Sequence, residues 1–311
     1  MAYHHVSVLL QESIDALQIQ PDGIYVDGTL GGGGHSKEIL KKIKTGHLYA
    51  FDKDKTAIEL NATSLKEIST AFTLIYDDYC HLLEDLKQYQ VNQVDGILLD
   101  LGVSSYQFDS QERGFSYRFD ARLDMRMDQN RQVLDAYEVI NRYPYEKLVK
   151  IFYEYGEEPF SKVIAKNICD ERQKKPIETT LELVEIIKKS LPNAILSKKG
   201  HPAKKVFQAI RMEVNQELVS LKQVIQDGLS LLKPNGRMAI ITFHSLEDRM
   251  VKQLFSEAIH PYKAVKGLVQ LPNPDKPQFR WVYKKPITAS TEELAQNNRS
   301  HSAKLRVIEK I

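Results

Sequence analysis

Between Ile24 and Ser36 the chain passes from a strand signal to a helix signal through five glycines, and no other segment constrains the fold as much. Ile24-Tyr25-Val26 is β-branched and aromatic, and Asp27 ends the run. Gly28-Thr29-Leu30-Gly31-Gly32-Gly33-Gly34 follows, and Ser36 is placed to cap a helix with Ile39, Leu40 and Ile43 on one face. Glycines let a ligand approach the backbone closely, and a helix N-terminus offers unpaired N–H groups. The unit then recurs. A second strand at 48–51 ends at Asp52, a helix runs through Ile58, Leu65 and Ile68, and a third strand covers 72–76. Leu82, Leu83 and Leu86 mark another helix, and a nearly all-apolar fourth strand at 94–99 ends at Asp100. Strands alternating with helices predict a parallel, doubly wound α/β sheet, its central strands buried on both faces.

The alternation stops near Ser104. Residues 104–131 are polar and irregular. Helical stretches then follow at 144–155, at 159–172 and from Thr179, where Thr179 and Glu182 have capping-box spacing; Pro192 lies past the end of the third. This reads as an all-helical insertion over residues 109–200, dividing a sheet domain into 1–108 and 201–311. From Pro202 a long helix is predicted, with one apolar stripe from Val206 to Leu232. Lys233-Pro234-Asn235-Gly236 reads as a turn, 238–243 as a fifth strand, and Ser245 with Asp248 as a capping box for the next helix. Residues 279–283 and 305–309 complete the strand signals.

Composition removes several alternatives. The chain has 311 residues, 42% hydrophobic and 27% charged, which suits a globular protein with a large core. Cys80 and Cys169 stand in no metal or redox spacing, so neither a disulfide framework nor a metal site is expected, and a reducing compartment is. No apolar run approaches a membrane span, and the first twenty residues lack a signal peptide's apolar region, so a cytoplasmic location without membrane attachment is expected. A net charge of +2 does not announce nucleic-acid binding, although a local patch can supply it.

The strand-end residues suggest the chemistry. A dinucleotide fingerprint begun at Gly31 and Gly33 puts Ser36 in its last glycine slot, an imperfect match. Asp27 suits a ligand with a cationic end, such as the amino group of S-adenosylmethionine. Asp52, 21 residues after Gly31, is placed to accept both hydroxyls of a ribose, which fits NAD and S-adenosylmethionine equally. Tyr79 can lie against an adenine, and Asp100 stands at the edge that faces the ligand crevice. His244, after the fifth strand, faces that crevice and can bond a base or a phosphate, though loop backbone would satisfy it equally well. Asp100 and His244 are therefore the candidate catalytic residues. Arg113, Arg118, Arg122 and Arg126 interleave with Phe115, Tyr117 and Phe119, and Lys198, Lys199, Lys204 and Lys205 cluster with His201. Arginines and lysines bind phosphates and aromatics stack on unpaired bases, so both groups are candidate RNA contacts. A nucleotide-dependent oxidoreductase and a noncatalytic RNA-binding factor are the competing classes.

Several segments together resemble one family. They are Asp27 to Ser36, Asp100-Leu101-Gly102-Val103-Ser104-Ser105, Arg113-Gly114-Phe115-Ser116, Leu123-Asp124-Met125-Arg126-Met127-Asp128, and Phe243-His244-Ser245-Leu246-Glu247-Asp248-Arg249. In this order they resemble the MraW/RsmH family of 16S rRNA cytosine-N4 methyltransferases, over nearly the whole chain. The resemblance implies a class I, Rossmann-like methyltransferase sheet with a helical insertion, S-adenosylmethionine as cofactor, and 16S rRNA or the small ribosomal subunit as partner. The reaction it implies is transfer of a methyl group to the exocyclic N4 of a cytosine near the decoding site. It places Gly33, Gly34, His35, Asp52, Tyr79, Asp100 and Gln107 on the family's cofactor-contacting positions. A homodimer is compatible with the sequence, which does not fix the oligomeric state.

Overall fold

A computed structural model describes residues 7–103, 110–197, 200–260 and 278–311. Gln107, Lys198 and Lys199 lie outside the described residues. The chain divides into two compact units, one of Met1–Gly102 with Val219–Ile311 and one of Val103–Leu218.

The first unit is built on a seven-stranded sheet. Its strands are β1 (Ile24–Asp27), β2 (His47–Phe51), β3 (Phe72–Ile75), β4 (Val94–Asp100), β5 (Leu232–Thr242), β6 (Phe279–Trp281) and β7 (Lys304–Lys310), in the order β3-β2-β1-β4-β5-β7-β6. β1 to β5 pair in parallel, whereas β7 runs antiparallel to both β5 and β6. The expected Rossmann-like sheet is therefore present, with one reversed strand. The order reverses between β1 and β4, and ligands of open α/β sheets bind in the crevice outside the carboxyl ends at such a point. Helices α1 (Leu10–Leu17) and α2 (Gly34–Lys42) cover one face, where Ile14, Leu17, Ile39 and Leu40 pack on Tyr25, Leu48, Leu98, Ala239 and Ile241. Helices α3 (Lys55–Lys66) and α4 (Leu82–Gln88) provide the crossovers that parallel strands require.

Three local expectations fail in this unit. Gly33, not Ser36, is the N-cap of α2, and its left-handed φ of 75° makes the turn into the helix. Lys233 to Gly236 stays in β5 as an irregularity instead of ending an element: the register with β4 shifts between Val94 and Gly96, and Asn235 takes a φ of 64°. The cap of the helix Ser245–Ile259 is formed by His244 with Glu247, not by Ser245 with Asp248, because Asp248 is engaged by Lys304 and Arg306.

In the second unit the helices Ala136–Arg142, Tyr145–Glu154, Ser161–Arg172, Thr180–Lys189 and Lys204–Asn215 enclose a core of Leu148, Phe152, Ile164, Ile168, Leu183, Ile187, Val206 and Ile210. The Thr179–Glu182 capping box is formed as expected. The polar segment before these helices contributes Phe115, Leu123, Met125 and Met127 to the same core. The boundary at Leu218 differs from the expected one at 200, because the predicted long helix is broken. Gln216 adopts φ 52°, and the chain restarts as the helix Glu217–Leu231. Asn215 accounts for the break: its side chain donates to the Met125 carbonyl at 2.8 Å and accepts from the Met127 amide at 2.8 Å, fixing the helix end on the polar segment.

Phe152 is fully buried in this core. Truncation to Ala removes its ring and leaves a cavity, a loss of about 3–5 kcal/mol. Urea unfolding of Phe152→Ala should show an unfolding free energy lower by that amount, and a loss below 1 kcal/mol would mean that the core is not packed as described.

Candidate functional site

The glycine segment is held at successive points by the carboxyl ends of β1, β2 and β4. Gly28 donates to the Leu98 carbonyl at 2.9 Å and Leu30 to the Phe51 carbonyl at 2.8 Å, so the loop continues the sheet's ladder past the end of β1. Side chains from the strand ends hold the rest. Asp52 Oδ2 accepts from the Gly31 amide at 2.8 Å, and its Oδ1 accepts from the Asp54 amide at 2.8 Å. Thr29 Oγ1 accepts from the Asp100 amide at 2.6 Å, joining the loop to β4. Asn61 of α3 donates to the Gly31 carbonyl at 2.8 Å. A Cβ on Gly33 would come within 2.1 Å of Asn61 Oδ1, so both the space and the positive φ at this position require glycine.

Asp27 is 1% exposed. It accepts from the Thr29 amide at 3.0 Å and from Ser36 Oγ at 2.6 Å. The sequence suggested that it meets a cationic ligand directly. In the structure it bonds the loop to the first turn of α2. Burial raises its pKa, against the bonds from Ser36 and Thr29.

Asp52 and Asp100 are only partly buried. Burial pushes the Asp52 carboxyl up to about 6, opposed by the Asp54 and Gly31 amides. Each of its oxygens has taken one backbone donor and retains a lone pair, which is what a ribose diol needs. Among the described residues, Asp100 Oδ1 is buried without a hydrogen-bond partner, and Oδ2 lies 3.8 Å from Nδ1 of the buried His35. Burial raises the Asp100 pKa well above its usual value, and the negative charges of Asp27 and Glu247 raise it further. Tyr79 is half-buried, in the turn after β3, with its Cβ close to Gly28. Asp78 caps that turn; burial opposes its charge, but the Lys53 ammonium at 3.0 Å holds its pKa below normal.

His244 ends β5 as a cap. Its Nδ1 accepts from the Glu247 amide at 3.4 Å, and Nε2 lies 3.0 Å from Glu247 Oε1 without hydrogen-bond alignment. Glu247 Oε2 accepts from the amides of Phe243 and His244, at 2.9 and 3.3 Å. The imidazole is thus tied to the loop, the structural alternative allowed by the sequence. Thr29 and Glu247 are site residues that sequence reading missed. The available signals were a Thr two positions after a strand-end Asp and a Glu three positions after a capping residue.

Asp27, Asp52, Asp100 and Glu247 thus gather carboxylates around a loop whose residues 31–34 carry no side chains. Such a crevice attracts a cation and repels a diphosphate, so it favours a nucleoside bearing positive charge over a dinucleotide.

The second unit's basic residues fall into two groups. Arg113 is 9% exposed and donates to the carbonyls of Arg126 and Met127, at 2.9 and 3.0 Å. Arg126 pairs with both oxygens of Asp124, at 2.9 and 2.8 Å, and donates to the Gln132 carbonyl. Both guanidinium groups hold the polar segment together, contrary to the expectation that they face RNA. Arg118, Arg122, Lys204 and Lys205 are exposed, although Arg122 reaches Asp135 at 2.7 Å and Lys205 reaches the Glu157 carbonyl at 2.8 Å. Tyr117 stacks on His201 at 4.2 Å, and burial together with the charges of Lys188 and Arg118 lowers the His201 pKa.

Comparison with known proteins agrees with the resemblance. The sequence matches the MraW methylase family over residues 2–311. It is 54% identical, over 99% of both chains, to the ribosomal RNA small subunit methyltransferase H of Exiguobacterium sibiricum. Among solved structures, an rRNA methylase from Streptococcus thermophilus is 14% identical with a TM-score of 0.44, covering 99% of each chain. A Streptococcus mutans protein in complex with SAH, also 14% identical, scores 0.44, covering 99% of this chain and all of that one.

A carboxyl whose pKa is raised by folding costs stability as pH rises from its unfolded value through its folded one. Asp100→Asn removes that cost and breaks no hydrogen bond of the side chain. The variant should unfold at a higher temperature than the parent at pH 8, by a few degrees, with the gap closing towards pH 4. Equal melting temperatures across this range would show that Asp100 is not held against its charge.

Proposed function

Because this chain belongs to the MraW methylase family, and is a methyltransferase, we propose that it transfers a methyl group from S-adenosylmethionine to the exocyclic N4 of a cytosine in 16S rRNA, near the decoding site of the small ribosomal subunit. The observation that carries this reading is the pairing of a glycine-rich loop with an anionic crevice, in a chain so closely similar to a named small-subunit rRNA methyltransferase. A cytoplasmic location follows from such a substrate; among the described residues no helix is long and apolar enough to cross a membrane. The oligomeric state, a homodimer included, is a separate question for solution measurements.

The residues present fit the cofactor. Asp52 offers its remaining lone pairs to the ribose hydroxyls, Tyr79 its ring to the adenine, and Gly33, Gly34 and His35 the loop under the methionine part. Asp100 offers an unpartnered buried oxygen to positive charge. Gln107 belongs to the same proposed set on the strength of the resemblance. When bound, S-adenosylmethionine supplies an electrophilic methyl on a sulfonium that departs as a neutral thioether.

The chain's own task is to make a poor nucleophile attack. The N4 lone pair of cytosine is delocalised into the ring, so the base must be held in line at about 3–3.5 Å. A hydrogen-bond acceptor on the amino group raises its electron density and then receives the departing proton. The Asp100 carboxylate is the proposed acceptor. Positive charge in the crevice offsets the repulsion from Asp27 and Glu247 and so favours the ionised form that can accept. His244 is assigned to fixing the loop on the β5 side of the base, as the cap of the helix Ser245–Ile259.

Arg118, Arg122, Lys204 and Lys205, with Lys198 and Lys199, are proposed to contact RNA phosphates, whereas Arg113 and Arg126 support the segment that carries Arg118. Charge reversal at Arg118 and Lys204 should weaken RNA binding and make its remaining loss with salt shallower, while leaving cofactor affinity unchanged in calorimetry. Unaltered RNA affinity would remove this surface from the account. Cofactor binding should also depend on pH through Asp52. Its ionised form is the better acceptor, so the Kd for S-adenosylmethionine should rise as pH falls below about 6, by up to tenfold per unit, and this dependence should be lost in Asp52→Asn. A Kd constant from pH 7 to pH 5 in the parent would contradict the ribose assignment. The reading as a whole is tested by tritium transfer from labelled S-adenosylmethionine to small subunits and to bare rRNA. N4-methylcytidine in the digest is expected; label absent from both substrates, or present on another nucleoside, would overturn it.

A further inference from the structure

The crevice has two sides, and the described cofactor candidates occupy one. Asp52 and Tyr79 follow β2 and β3, and the glycine loop follows β1, so the adenosine side is β3-β2-β1. The planar base must then enter on the β4–β5 side, where its plane has to be fixed if N4 is to meet the methyl group in line.

Phe243 is the aromatic residue that the sheet presents there. Asp100 and Ile241 are register partners, and Leu101 donates to the Ile241 carbonyl at 3.1 Å. Side chains two residues apart on a strand share a face, and His244 keeps an extended backbone at φ −142° and ψ 165°. Phe243 therefore stands on the same face as Ile241 and Asp100, one pleat nearer the open edge. Its ring is only partly buried, with its inner side packed on the core beneath that face. Opposite it, Gly102 adopts φ 98°, and a Cβ built there would lie 3.7 Å from Phe243 Cδ2. Glycine at this position keeps a Cβ of the turn off the ring. Glu247, 3% exposed, fixes the ring's backbone by accepting from the Phe243 amide at 2.9 Å.

We propose that the Phe243 ring is the platform on which the target base stacks to bring its amino group to Asp100, and that Glu247 is a positioning residue that sets this platform. The inference rests on the methyltransferase reading and adds to it a residue that sets the plane of the substrate base. Stacking on an aromatic side chain depends on ring area and tolerates exchange among aromatic rings. An aliphatic side chain of similar volume would keep the core contact of Phe243 and lose the stack.

The test is steady-state kinetics on small subunits with Phe243→Leu, Phe243→Tyr and Glu247→Gln, alongside calorimetry with S-adenosylmethionine and a thermal melt of each variant. Phe243→Leu should lower kcat/KM for the RNA substrate by roughly 10- to 100-fold, with cofactor Kd and melting temperature near those of the parent. Phe243→Tyr should stay within about threefold of the parent. Glu247→Gln keeps one acceptor oxygen for the Phe243 amide, and its RNA kcat/KM should fall between these two variants. If Phe243→Leu melts early, Phe243→Tyr still decides: a folded, cofactor-binding Tyr variant that has lost most of its RNA kcat/KM would overturn the proposal. So would a Leu variant within twofold of the parent. Failure of the parent to bind S-adenosylmethionine would instead defeat the methyltransferase reading itself.

Discussion

The buried Asp27 carboxylate is the interaction on which the remainder depends. Taking a charge out of water is costly unless hydrogen bonds replace the lost hydration, and here the replacements are the Thr29 amide and the Ser36 hydroxyl. One anchors the start of the glycine loop and the other the first turn of α2, so a single side chain sets how the loop leaves β1. Thr29 then reaches the Asp100 amide, and Gly31 reaches Asp52. The loop, with little side-chain packing of its own to order it, takes its shape from three strand ends.

The same carboxylates give the site its chemistry. Burial works against the ionisation of Asp100, and the charges of Asp27 and Glu247 add to the effect. A structure carrying such a cluster sacrifices stability for a field that a positively charged ligand relieves. This accounts for an acid at the end of β4 whose Oδ1 has no hydrogen-bond partner among the described residues, an arrangement that a purely structural residue would not require.

The sheet was readable from the chain because β1, β2 and β4 are short apolar runs that close on an Asp, and because helices separate the first four strands. Local caps were less readable. Ser36 and Ser245 have the composition of caps, yet Ser36 is drawn to Asp27 and Asp248 to Arg306, partners distant in sequence or hidden by burial. The break at Gln216 leaves no local signal, since the apolar spacing runs straight through it and its cause lies at Met125 and Met127, some 90 residues earlier. Arg113 and Arg126 show the same limit from the opposite direction. They have the look of RNA ligands, but the carbonyls and the aspartate that hold them become visible only once the segment is folded. Within the site, Asp52 and Asp100 were identifiable from their places at strand ends, whereas the scaffolding role of Asp27 depends on a burial that spacing does not reveal.

The central claim is that the glycine loop and the strand-end carboxylates form one nucleoside site. A crystal structure with S-adenosylhomocysteine tests it most directly. The account predicts both ribose hydroxyls on Asp52, the adenine beside Tyr79 and the amino-acid end over residues 31–35. Density for the nucleoside elsewhere on the molecule, or a ribose turned away from Asp52, would contradict it.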